Sequence, residues 1–316
     1  MIRMSRQSRI VIVLCVLAAC TSACSGSGPS PSPQAATKAN HRVDLGKPAF
    51  TNPMRITNPL HPTSRIEQVI YGGQVEGKPF RTEFTRLPVT KTITWNGKPV
   101  NVVTMQYLAF SDGRITEVAN DWFAQADDGA VWYFGEDVFE YTNGVVSSTE
   151  GTWQAGRDGP AAMIMPAHPK VGDVYRSENI PGLVFEEVTV KQVGGTAPGP
   201  SGPITGTLTG TELHMDGTRE DKIFAPGYGE FSTGDAGGDL ERAAFAVPTD
   251  ARPGAMPAPL ATLSTAVRQV HDAVGATDWT SATQAVSEAS RAWNAYRGEP
   301  SMVLATQLSR DLDALS

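Results

Sequence analysis

The chain has 316 residues and carries 26 Lys and Arg against 33 Asp and Glu, a net charge of −7. That acidic balance argues against nucleic acid as a partner and against a polybasic grip on anionic lipid. The only cysteines, Cys15, Cys20 and Cys24, sit at the very start, so the remainder can hold no disulfide, no thiolate metal site and no cysteine nucleophile.

Residues 1–19 read as a leader. Arg3, Arg6 and Arg9 precede an apolar run over residues 10–17 that is too short to span a bilayer comfortably. The next tetrad, Leu17-Ala18-Ala19-Cys20, resembles the bacterial lipobox, in which the cysteine is diacylated on sulfur and becomes the new N-terminus. Cys20 is therefore the expected lipid attachment site. Cys24 is the alternative, with Thr21 standing where the pattern wants an aliphatic residue. Two acyl chains hold a protein firmly, so the expected partner is the lipid bilayer, at the outer, extracytoplasmic face of the cell membrane. Residues 20–50 are rich in Ser and Pro and read as a solvated tether.

From residue 51 to 247 the pattern is β. An opening loop is punctuated by Pro59 and Pro62, and strands are expected over 66–71, 80–87, 91–95 and 100–110. The clearest stretch is 115–153, where aromatic and β-branched runs are cut at Asp128-Gly129 and Asn143-Gly144. Such dipeptides suit tight hairpin turns, so a meander of three or four strands is expected there. Further strands are expected over 173–177, 183–193, 204–215, 222–224, 229–232 and 240–247, with residues 194–203 read as a flexible loop. Helical periodicity is lacking throughout this region. The fold class is mainly β: a curved antiparallel sheet, a sandwich or a partly open barrel.

Residues 248–259, PTDARPGAMPAP, read as a linker, and 260–316 as a small α domain of three helices. Leu260, Leu263, Val267, Val270 and Val274 recur at helical spacing, and Trp279, Ala282, Val286, Ala289, Trp293 and Tyr296 repeat it. A third stripe runs through Met302, Ala305, Leu308, Leu312 and Leu315. The three stripes are expected to close mainly on one another, with Trp293 central.

The stretches DWFAQA (121–126), VWYFGED (131–137), STEGTW (148–153), MPAHPKVGD (165–173) and APGYG (225–229) resemble an uncharacterised family of secreted bacterial proteins. The resemblance spans residues 55–245. With the lipobox and tether it implies an actinobacterial setting, and it implies no activity.

Acidic residues crowd the meander: Glu117, Asp121, Asp127, Asp128, Glu136, Asp137, Glu140 and Glu150. Paired carboxylates can hydrolyse glycosides, but strand alternation sends half of all positions to solvent, so these are expected to be outward-facing. The candidate ligand-binding residues are Trp132, Phe134, Glu136 and Asp137, an acidic pair beside aromatics. The five histidines follow no metal-ligand spacing, and no Gly-x-Ser-x-Gly elbow occurs. No catalytic residue, metal site or cofactor is therefore assigned. The sequence favours a non-enzymatic lipoprotein that binds a ligand or envelope partner. The alternatives are a carboxylate-dependent hydrolase of cell-wall or extracellular glycans, and an assembly scaffold using the helices.

Overall fold

A computed structural model describes residues 41–200, 202–234, 240–247, 255–298 and 302–316. The leader, Cys20, Cys24, most of the tether and residues 248–254 of the expected linker lie outside the described residues. Fifteen strands precede three helices among those described. They are β1 (His41–Arg42), β2 (Gln68–Val75), β3 (Lys78–Trp95), β4 (Lys98–Ser111), β5 (Arg114–Gln125), β6 (Val131–Thr142), β7 (Val145–Ser148) and β8 (Trp153–Gln154). There follow β9 (Ala162–Met165), β10 (Asp173–Ile180), β11 (Val184–Gly199), β12 (Gly202–His214), β13 (Arg219–Ala225), β14 (Gly229–Gly234) and β15 (Leu240–Val247).

One sheet holds them all, in the order β1-β10-β11-β12-β13-β14-β15-β2-β3-β4-β5-β6-β7, with β8 and β9 also paired to β6. Every pairing is antiparallel except that of β1 with β10. The sheet curls into a half-barrel, which is the partly open form among the expected arrangements. The strands are joined by turns whose chemistry sets the twist. Asn96-Gly97, Asp112-Gly113 and Asn143-Gly144 hold both residues at positive φ, the hairpin geometry that matches right-handed strand twist. Glu76-Gly77 does the same, with φ of 51° and 72°, although nothing in a Glu advertises it.

Two segments depart from the expected boundaries. Residues 194–199 and 202–203 are strand: β11 and β12 continue to the pair Gly199↔Gly202, with register shifts near Val190, Val193 and Gly195. Thr196, Thr205 and Ile204 supply enough strand character to extend the ladder, and the bulges absorb the glycines. Strand β3 is likewise continuous, because a bulge between Arg86 and Thr90 takes up Pro88, which has no N–H to give the ladder.

The principal core packs around β5, β6 and β8. Phe123 stacks on Tyr133 with ring centres 4.9 Å apart, and Trp153 meets Tyr133 edge-on at 5.3 Å. Phe134 packs edge-on against Phe50 and Trp95. Helices α1 (Ala258–Gly275), α2 (Trp279–Tyr296) and α3 (Met302–Leu315) form a separate apolar cluster. Asp278 caps α2 by accepting from the Ser281 N–H. In α1 the buried residues are Leu263, Ala266 and Ala273, while Val267 and Val274 are exposed. The stripe is thus rotated from the one expected, because small alanines let α1 and α2 approach closely. Trp279, expected in the second stripe, stands 62% exposed.

Candidate functional site

The half-barrel has a concave face, and strand pairing identifies which side chains reach it. Directly opposed residues on neighbouring strands share a face. Phe123 opposes Tyr133 and Asp121 opposes Glu136, so between these pairs one residue on β5, Trp122, faces two on β6, Phe134 and Gly135. The extra residue is a bulge at Gly135, whose φ is +119° and where any Cβ would collide with the Trp153 carbonyl. Simple alternation would put Trp132, Phe134 and Glu136 together and Asp137 opposite. The bulge reverses the parity after Phe134. Glu136 joins Tyr133 and Asp121, whereas Trp132 and Phe134 belong to the opposite side.

The four sequence-derived candidates are therefore divided. Trp132 and Phe134 are buried core, packed with Trp95. Glu136 is buried beside Asp121, and Asp137 is half-buried opposite Asn120. They do not make one patch. The expectation that the meander's acidic residues face outward also fails for Glu117, Asp121 and Glu136, each no more than 6% exposed. Asp127, Asp128 and Glu150 do lie at the surface. Tyr133 donates to Asp121 at 2.9 Å, and burial together with Asp121, Glu136 and Glu178 raises its phenol well above the ordinary value.

A second polar group lies on the same face at the other side of the half-barrel. Glu186 opposes His214, Glu212 opposes Glu220, and Lys222 follows two residues after Glu220 on β13. Lys222 Nζ is 2.6 Å from Glu212, 3.6 Å from Glu230 and 3.8 Å from Glu220. Burial disfavours its charge, but these carboxylates outweigh that and hold it well above the usual lysine range. Burial and the neighbouring Glu186 push Glu212 upward, an effect that Lys222 offsets only in part. His214 lies 3.3 Å from Glu220 and 3.7 Å from Glu186. Desolvation works against its protonation, yet the two carboxylates lift it to about 10.

Ligand atoms of Glu186, Glu212 and His214 lie within 4.8 Å of one another, a spacing that suits a divalent cation. Two resident cations already balance part of this charge, however. A metal would have to displace the His214 proton and crowd Lys222, so the arrangement reads as a buried ion network. Sequence scanning missed it, because its members come from β11, β12, β13 and β14 and no motif links them.

Between the two polar groups lies a cavity. Its walls include Val69 and Tyr71 of β2, Phe84 of β3, Met105 and Tyr107 of β4, and Phe224 of β13. It offers about 40 Å³ to the centre of a water-sized molecule, and about 640 Å³ of open space counting the part continuous with solvent. The segment before β2 contributes His61, Pro62, Thr63 and Ile66 to the wall. That segment is tied down: Gln125 Oε1 accepts from the Thr57 and Asn58 N–H groups at 2.7 and 2.9 Å. Asn58 Nδ2 donates to the carbonyls of Gly129 and Pro166, both at 3.1 Å. His61 packs on Phe123 with ring centres 5.0 Å apart, and its Nδ1 lies 2.8 Å from Thr63 Oγ1. Burial pushes its imidazole down to about 4, so it lines the cavity uncharged at neutral pH.

Comparison with protein-family models, with curated proteins and with solved structures finds no match to this chain.

Proposed function

We propose that this chain is a lipid-anchored protein of the extracytoplasmic face of the cell membrane, and that its half-barrel binds a small apolar ligand without transforming it. The observation that carries the reading is the aromatic-walled cavity between strands that lie far apart in the sheet. A concave, mostly apolar pocket with few polar groups is the common form of a small-molecule site. The anchor rests on the leader and the Cys20 tetrad, with Cys24 as the alternative. Both agree with the resemblance of residues 55–245 to secreted bacterial proteins.

The hydrolase reading is weaker. A glycosidase needs two carboxylates flanking space for a sugar. Asp121 and Glu136 are directly opposed on adjacent strands and both are buried, and Glu212 is engaged by Lys222.

Two measurements test the proposal. Cys20→Ala should move the chain from the detergent to the aqueous phase. Retention after both Cys20 and Cys24 are replaced overturns the anchor. Protein purified from its native membrane should release a small molecule into organic solvent, detectable by mass spectrometry. The molecule should be absent from Met105→Trp, whose indole fills the cavity. An identical extract from wild type and variant overturns the ligand reading.

A further inference from the structure

We propose that the ligand of this cavity is a neutral, mostly apolar molecule the size of a single ring, carrying one oxygen function that hydrogen-bonds to the Thr82 hydroxyl. This rests on the reading that the cavity binds a ligand, and it adds the ligand's polar group and its place.

Strand register puts Thr82 in the wall. On β3, Thr82 and Phe84 alternate onto one face. Thr82 lies opposite Tyr71 of β2, and Phe84 lies opposite Val69 of β2 and Tyr107 of β4. All five line the cavity, so this threonine is set among rings and an aliphatic side chain.

Its hydroxyl is orphaned. Thr82 is 1% exposed, and its Oγ1 has no hydrogen-bond partner among the described residues. Valine has the same shape and suits a strand as well, so the oxygen adds nothing to packing, and a buried polar atom left unpaired is costly. A ligand oxygen removes that cost. A lone water in its place needs two or more polar partners, whereas Val69 and Phe84 are apolar and the Tyr71 hydroxyl donates to the Glu230 carbonyl.

Charge argues for a neutral molecule. Glu230, the carboxylate of the wall, lies 3.6 Å from Lys222 Nζ, so its charge is already answered. His61 is uncharged at neutral pH and its Nδ1 pairs with Thr63 Oγ1. The described residues of the wall include no Lys or Arg. An ion of either sign would surrender its hydration there without a counter-charge. Size sets the limit: room of about 40 Å³ exceeds one water and suits a single ring.

Calorimetric titration of the full chain with phenol and toluene tests this, since the two share a shape and differ in the oxygen. Both should bind. Thr82→Val should weaken phenol about tenfold, the effect of stranding one buried hydroxyl, and leave toluene unchanged. Thr82→Ser, which keeps the oxygen, should hold phenol near its wild-type affinity. The urea midpoint of Thr82→Val should be unchanged or higher, because no bond within the chain is lost. Equal effects on phenol and toluene, no effect on either, or a lower midpoint overturns the role of Thr82 and spares the apolar-ligand reading. Benzylammonium or benzoate binding as tightly as phenol overturns the neutral class. Failure of both phenol and toluene to bind overturns the proposal and the apolar-ligand reading together.

Discussion

Lys222 and Glu212 meet at 2.6 Å inside the sheet, each about 2% exposed. A buried pair of this kind adds little over an apolar pair, but removing one partner strands the other charge. Lys222→Met should therefore cost roughly 3–5 kcal/mol, and more than Glu212→Gln, which removes one of several carboxylates. Urea titration of the two variants decides the order. Equal losses would mean that Lys222 is not the hub of the network.

His214 gives the stability a pH dependence of defined sign. Its folded-state value of about 10 lies above the ordinary 6.5, so the folded form holds its proton more tightly. The stabilisation is complete below about 6.5 and is lost as pH rises toward 10. The urea midpoint should fall across that window. The groups facing the ring are Glu186, Glu212 and Glu220. His214→Gln should flatten the slope, and an unchanged slope would assign it elsewhere.

Gly135→Ala should destabilise the β region by at least about 1–3 kcal/mol, the usual cost of an L-residue forced into such backbone. The collision with the Trp153 carbonyl adds to that and should loosen β8 first. Hydrogen exchange at Gln154 and Ala155 would report it. The same change at Gly97, where nothing lies near the added Cβ, should disturb only its own turn.

Trp293→Ala should melt the helices at unchanged β signal in circular dichroism. The ring is 4% exposed among Leu263, Ala289 and Leu312, and its Nε1 donates to Ser309 at 2.8 Å. Truncating such an aromatic costs about 3–5 kcal/mol. Trp279→Ala, at an exposed position, should fall within about 0.5 kcal/mol of wild type.

The broad class was legible because its signals are local. Alternating β-branched residues, Asx-Gly turns and helical stripes each declare themselves within a dozen residues. The site was not, because it depends on parity and on distance in sequence. Glu136 stands beside the aromatics in sequence, yet its face is decided by Gly135, and although a strand glycine hints at a bulge it does not say where the register shifts. Lys222 looks like any surface lysine until β12 and β14 bring Glu212 and Glu230 beside it. Even the helical stripe misled, since Ala266 and Ala273 outcompete Val267 and Val274 where close approach matters more than side-chain size.

The ties from Gln125 to Thr57 and Asn58 bear on timing. The segment is held by a few backbone and side-chain hydrogen bonds, each worth about a kilocalorie, while the sheet beside it is a continuous ladder. Opening of that short stretch of cavity wall should thus cost less than opening of the sheet, and its frequency should respond to Gln125, a side chain that is not itself part of the wall.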